Sequence, residues 1–153
     1  MLDLKNSKYV ILEIIPTSVD PKKGDIAQIS ALKINGLNLI DRFDYRLEKD
    51  MILIPDILNM IDYDNDKFKY KKSTKSIIKE FKKFIGNLPL LIIDNDYTNN
   101  YLINIDNKKE SVFDYINMKY SFDVFDKIIE KYGLAYSNHL VDLLYEALIS
   151  ELS

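Results

Sequence analysis

Apolar residues along this chain follow two rhythms, and the order of those rhythms predicts a mixed α/β fold. Residues 8–15, which contain Tyr9-Val10-Ile11-Leu12-Glu13-Ile14-Ile15, form an apolar run broken by one acid, the pattern of a buried strand. Residues 26–34 read as a second strand and residues 37–47 as a third, with Leu39, Phe43 and Tyr45 in alternating positions. Asn35-Gly36 lies between them. Both residues tolerate positive φ, so the pair predicts a two-residue hairpin turn. Residues 16–24, with Asp20-Pro21 and Gly24, supply a second reversal, so the first strand is expected antiparallel to the second in a three-stranded meander.

Helical spacing takes over downstream. After Pro55 the pattern leaves room for one short helical turn, followed by a polar loop over residues 62–66. Ile77, Ile78, Phe81, Phe84 and Ile85 recur at a spacing that predicts a helix over residues 74–85, capped by Ser73 and stopped by Gly86. Residues 90–93 are fully apolar and bounded by Pro89 and Asp94, as in a central strand covered on both faces. A helix over 97–103, a weaker strand near 112–115, and helices over 122–132 and 138–152 complete the chain. The expected architecture is one domain over residues 1–153, built on a mixed five-stranded sheet with helices on both faces.

Composition narrows the chemistry. At 153 residues and 47% hydrophobic, the chain has the size of one domain that buries about two-thirds of its unfolded surface. The early apolar run is short, interrupted by Glu13 and preceded by Asp3 and Lys5, unlike a signal or membrane-spanning segment. A cytoplasmic protein without a membrane partner is therefore expected. With no cysteine, thiolate nucleophiles, disulfides and Cys-based zinc sites are excluded, and a metal would have to sit on oxygen or on the single His139.

A net charge of −3 gives no global attraction to nucleic acid. One stretch is locally basic: between Lys67 and Lys83 eight lysines face one acid, Glu80. The apolar stripe of the predicted helix turns Lys75, Lys79, Lys82 and Lys83 outward. A solvated face is the simpler reading. With Lys72, these residues also form a candidate surface for tracking a phosphate backbone without reading sequence.

The order of elements, the stretch Ile26-Ala27-Gln28-Ile29-Ser30-Ala31-Leu32-Lys33-Ile34-Asn35-Gly36 and the following Ile40-Asp41-Arg42-Phe43 resemble the second and third strands of the proofreading 3′-5′ exonucleases. The likeness is to the epsilon-subunit-like, DEDDh branch with a catalytic histidine, and it implies a ribonuclease H-like fold. Ile54-Pro55 through Met60-Ile61-Asp62 is similar to the family segment after the hairpin, without its usual Gly and Thr.

The resemblance implies a four-carboxylate site in which two divalent ions, Mg or Mn, activate water at a phosphodiester. A D-x-E pair on the first strand would project both acids from one face, because side chains alternate. Glu13 and Ile15 occupy those positions here, and Thr17 is the retained member of the following Thr-rich, nucleic-acid-contacting segment. The third acid belongs to an H-N-x-x-F-D pattern matched by Asp94-Asn95-Asp96-Tyr97-Thr98-Asn99, so Asn99 replaces it. Asp96, one turn earlier, is a shifted candidate ligand, although Asp94 or Asp96 is expected to cap the helix that begins there. In the closing H-x-x-x-x-D motif, His139 takes the histidine position and Leu144 replaces the acid. For His139 a helix-start structural role is the simpler reading, with a relic general base as the alternative.

Ile15 and Leu144 are expected to face one former metal pocket, where aliphatic packing replaces carboxylate repulsion. The leading reading is thus a degenerate exonuclease-like domain, a pseudoenzyme that needs no cofactor and binds nucleic acid or a protein. An active, divergent Mg- or Mn-dependent 3′-5′ exonuclease, using Glu13 and Asp96 as metal ligands and His139 as base, is the enzyme alternative. A structural subunit of a larger assembly is the third.

Overall fold

The computed structural model describes residues 1–18, 20, 22, 24–47, 68–121, 123–137 and 139–153. The helical turn expected after Pro55, the polar loop over 62–66 and the family-like segment from Ile54 to Asp62 lie outside the described residues.

Three long strands open the domain: β1 (Lys8–Pro16), β2 (Ile26–Asn35) and β3 (Asn38–Leu47). They pair antiparallel in chain order, as the turn signals require. The hairpin is displaced by one residue from its expected place. Asn35 pairs with Asn38, so Gly36 and Leu37 form the turn. Gly36 has φ +63, and a Cβ there would lie 2.7 Å from the Lys5 carbonyl oxygen. The Gly36 N–H donates to the Ser7 carbonyl, and the Tyr9 hydroxyl donates to the Gly36 carbonyl at 3.1 Å. Burial pushes the Tyr9 phenol up to about 12, so it remains a donor. A glycine at the first turn position is thus required by both its own φ and the chain packed against it.

Beyond the meander come β4 (Lys69–Lys71), α1 (Thr74–Ile85), β5 (Leu90–Ile92), α2 (Asp96–Leu102), β6 (Lys109–Ser111), α3 (Phe113–Ile116), α4 (Val124–Tyr132) and α5 (Leu140–Leu152). The described strands form a six-stranded mixed sheet ordered β4-β3-β2-β1-β5-β6, one strand more than expected. The additional strand is β4, whose Lys-Tyr-Lys sequence has no apolar rhythm and is held by parallel pairing to residues 45–47 of β3.

The expected strand at 112–115 is corrected. Strand pairing falls on Lys109–Ser111, while Val112, Phe113 and Ile116 follow helical spacing and are buried in a short helix. Asn117 ends that helix with φ 53, in the left-handed region that asparagine tolerates.

Alternation sorts the core into two layers. Val10, Leu12 and Ile14 of β1 join Ile29, Ala31, Phe43 and the α1 residues Ile77, Phe81 and Ile85 on one face. Tyr9 and Ile11 join Leu32, Ile34, Leu91 and the α5 residues Leu140, Val141, Leu144 and Leu148 on the other. Helices therefore cover both faces, and α5 closes the one toward which odd-numbered β1 residues project. Among the described residues, no helix is long and apolar enough to cross a membrane.

Candidate functional site

Glu13 and Ile15 project from β1 on the α5 face, in alternation with Tyr9 and Ile11. Ile15 is only 1% exposed, whereas Glu13 is partly exposed. Leu144, 0% exposed, belongs to the apolar layer beneath α5. Both positions expected to have lost an acid thus carry fully packed aliphatic side chains on one side of the sheet.

Two phenols lie within electrostatic range of Glu13. Tyr97, in the first turn of α2, is shifted up by burial and then by the Glu13 charge. Tyr120, in the connection after α3, is shifted up by burial, then by Tyr97 and Glu13. One carboxylate and two neutral phenols therefore share this part of the molecule. Sequence reasoning missed both tyrosines. Tyr97 lies inside the segment Asp94-Asn95-Asp96-Tyr97-Thr98-Asn99, where a phenol matches no expected metal ligand, and nothing local marks Tyr120.

The α2 start differs from expectation. Asn95, rather than Asp94 or Asp96, is the cap: its side-chain oxygen accepts from the Thr98 N–H at 2.9 Å. Asp96 is the exposed first helical residue, where its charge favours the positive end of the helix. The Asn99 amide nitrogen donates to the Asp94 carboxylate at 2.8 Å, tying that side chain to the helix start.

His139 stands at the N-cap position of α5, in keeping with the helix-start reading. Its backbone N–H donates to the Ser137 hydroxyl. The charges acting on its ring come from Asp142, Arg42, Asp44 and Arg46, and burial is the largest influence, lowering its pKa. These groups belong to a polar band on the α5 face that the sequence did not reveal. Arg42 donates through Nε to Asp44 at 2.9 Å and through Nη1 to Asp142 at 2.7 Å, riveting α5 to β3. Burial alone would pull the Arg42 guanidinium down, but its bonds to Asp142 and Asp44 reverse that and hold it charged. Arg46 donates to the Gln28 side-chain oxygen at 2.9 Å and stacks over Phe68. Cross-strand register continues the band toward Glu13, since Glu13 lies opposite Ser30 and Ser30 opposite Asp44.

The Thr17 hydroxyl accepts from the Asp25 N–H at 2.8 Å and pins the loop between β1 and β2. Lys72, Lys75, Lys79, Lys82 and Lys83 are exposed. Because α1 packs on the opposite sheet face, its lysines do not share a wall with Glu13.

No protein-family model matches the chain, and no curated protein is similar to it in sequence. Solved structures do match. Escherichia coli exonuclease I, in a zinc-bound complex with single-stranded DNA, superposes with a TM-score of 0.66 at 13% identity, over 96% of this chain and 40% of that one. The fold is the ribonuclease H-like exonuclease fold. The E. coli enzyme with a dA16 oligonucleotide gives 0.63 at 12% identity over 95% and 40% of the two chains. A complex of exonuclease I with SSB-Ct gives 0.62 at 11% over 96% and 41%. This chain thus spans about two-fifths of the exonuclease I chains.

Proposed function

We propose that this chain is a degenerate exonuclease-like domain, catalytically inactive or strongly impaired, that acts as a nucleic-acid-binding module. The observation that carries this reading is that Ile15 and Leu144, at positions where the family resemblance calls for acids, are both fully buried aliphatic side chains. Two-ion hydrolysis requires several hard oxygen ligands around Mg or Mn. Among the described residues no group of three or more His, Asp or Glu could hold a metal ion. At the positions the resemblance assigns, Glu13 is the one carboxylate, with Ile15, Asn99 and Leu144 in place of the other acids, and this donor set supports impaired hydrolysis.

Binding has better support. The exonuclease I structures that share the fold include complexes with single-stranded DNA and an oligonucleotide. Beside Glu13, Tyr97 is partly exposed and Tyr120 is 42% exposed, so aromatic surface is available for bases to stack on. Glu13 can accept hydrogen bonds from sugar hydroxyls or base amino groups, while the exposed α1 lysines, on the other side of the sheet, add only longer-range attraction to a nucleic-acid backbone.

Fluorescence anisotropy with a short 3′-hydroxyl single strand in EDTA tests the reading. Binding should weaken steeply with salt, and Tyr120→Ala should weaken it about tenfold, the scale of one lost stacking contact. A strand that fails to bind at low salt contradicts the nucleic-acid module and leaves a protein partner as the module's role. Binding indifferent to both salt and Tyr120→Ala contradicts the assigned surface.

A further inference from the structure

On the α1 side of the sheet, away from Glu13, a groove of about 590 Å³ runs between β3 and α1. Its floor is aromatic. Phe43 packs against Tyr45 with ring centroids 4.4 Å apart and against Phe84 at 5.3 Å. Its walls carry Lys33, Lys69 and Lys83 together with Asp41 and Glu80. The Lys33 ammonium lies 4.4 Å from the Phe84 ring centroid, and Lys83 pairs with Glu80 at 3.6 Å.

This mixture is selective in chemical terms. A site for a simple anion gains nothing from two carboxylates or an aromatic floor, and a site for an apolar segment is poorly served by three lysines. A nucleotide presents all the complementary features: a phosphate for the ammonium groups, hydroxyl and amino donors for a carboxylate, and a flat base for an aromatic floor. The volume also lies within the range of small-ligand sites, roughly 300–1,000 Å³. We propose that this groove binds one nucleotide unit, with its base against the Tyr45 and Phe84 floor, its phosphate on Lys33 and Lys69, and Asp41 accepting from sugar or base. Because the groove and Glu13 lie on opposite faces of the sheet, the proposal does not depend on the module reading of the Glu13 face.

Amide NMR spectra of the unaltered full chain, titrated separately with adenosine 5′-monophosphate, inorganic phosphate and a short oligothymidylate, test the proposal. Shifts should concentrate at Lys33, Asp41, Tyr45, Lys69, Lys83 and Phe84 with the mononucleotide, and phosphate should bind at least about tenfold more weakly, reflecting the lost base and sugar contacts. The same shifts with the oligothymidylate would identify a residue of a strand as an occupant, whereas shifts with the mononucleotide alone would identify a free nucleotide. Lys33→Glu combined with Lys69→Glu, checked for an unchanged fold by its spectrum, should weaken binding about tenfold or more by removing charge-assisted phosphate contacts. Shifts confined to Glu13, Tyr97 and Tyr120, equal affinity for phosphate and mononucleotide, or no shifts with either nucleotide probe would overturn the proposal.

Discussion

His139 is the chain's single histidine, so its titration can be followed without ambiguity. Burial lowers its pKa from the ordinary 6.5, with Arg42 and Arg46 acting in the same direction and Asp142 and Asp44 opposing. The unfolded chain therefore binds more protons than the folded one between the depressed folded value and the unfolded value. This contribution to stability is present above the unfolded value and is lost as pH falls through the folded one. An NMR titration should place the folded His139 below 6.5, and thermal melting should show stability falling on acidification through that window, less so in His139→Gln. A folded value at or above 6.5 would contradict the environment described. Arg42 gives a second residue-scale test. Arg42→Ala leaves buried Asp44 without its guanidinium and should cost about 2–3 kcal/mol in urea denaturation, below the ~3–5 kcal/mol typical of a broken buried pair. The discount reflects the 31% exposure of the Arg42 side chain. Asp142→Asn should cost about 1 kcal/mol or less, because Asp142 is 28% exposed and Asp44 remains to hold the cation.

Helix α5 contributes Leu144 to the core. Leu144 packs in a fully buried apolar layer, so Leu144→Asp both removes apolar burial and places a carboxyl there, at a cost of about 4 kcal/mol or more. A variant as stable as the parent in urea would contradict the closed pocket. At α1, Ser73 accepts from the Ser76 N–H at 3.1 Å, and Ser73→Ala should cost about 1 kcal/mol by the same measurement. The contrast between these elements and others shows what the sequence reveals. The meander, α1 and α5 are legible because each has a local rhythm and punctuation: Gly36 for the hairpin, Ser73 and Gly86 for α1, His139 at the start of α5. Strands β4 and β6 are not, since Lys-Tyr-Lys and Lys-Glu-Ser become strands only through pairing with distant residues. The same distinction governs the site. Alternation alone puts Glu13 and Ile15 on one face, but tertiary structure brings Tyr97 and Tyr120 within electrostatic range of Glu13 and bonds Arg42 to Asp142 across one hundred positions of chain.

At the scale of the molecule, the sheet divides the chemistry in two. One face carries Glu13, the buried aliphatic residues Ile15 and Leu144, and the Arg42-centred polar band under α5. The other carries α1, its exposed lysines and the aromatic groove beside β3. The fold is exonuclease-like, and the proposal of binding rather than hydrolysis rests on the buried aliphatic side chains of Ile15 and Leu144. The measurement that tests this most directly is degradation of a 3′-hydroxyl single strand in Mg or Mn, beside EDTA and Glu13→Ala controls. The account predicts no metal-dependent shortening under any of these conditions; shortening that requires Mg or Mn and disappears in Glu13→Ala would contradict it and establish a divergent nuclease working through Glu13.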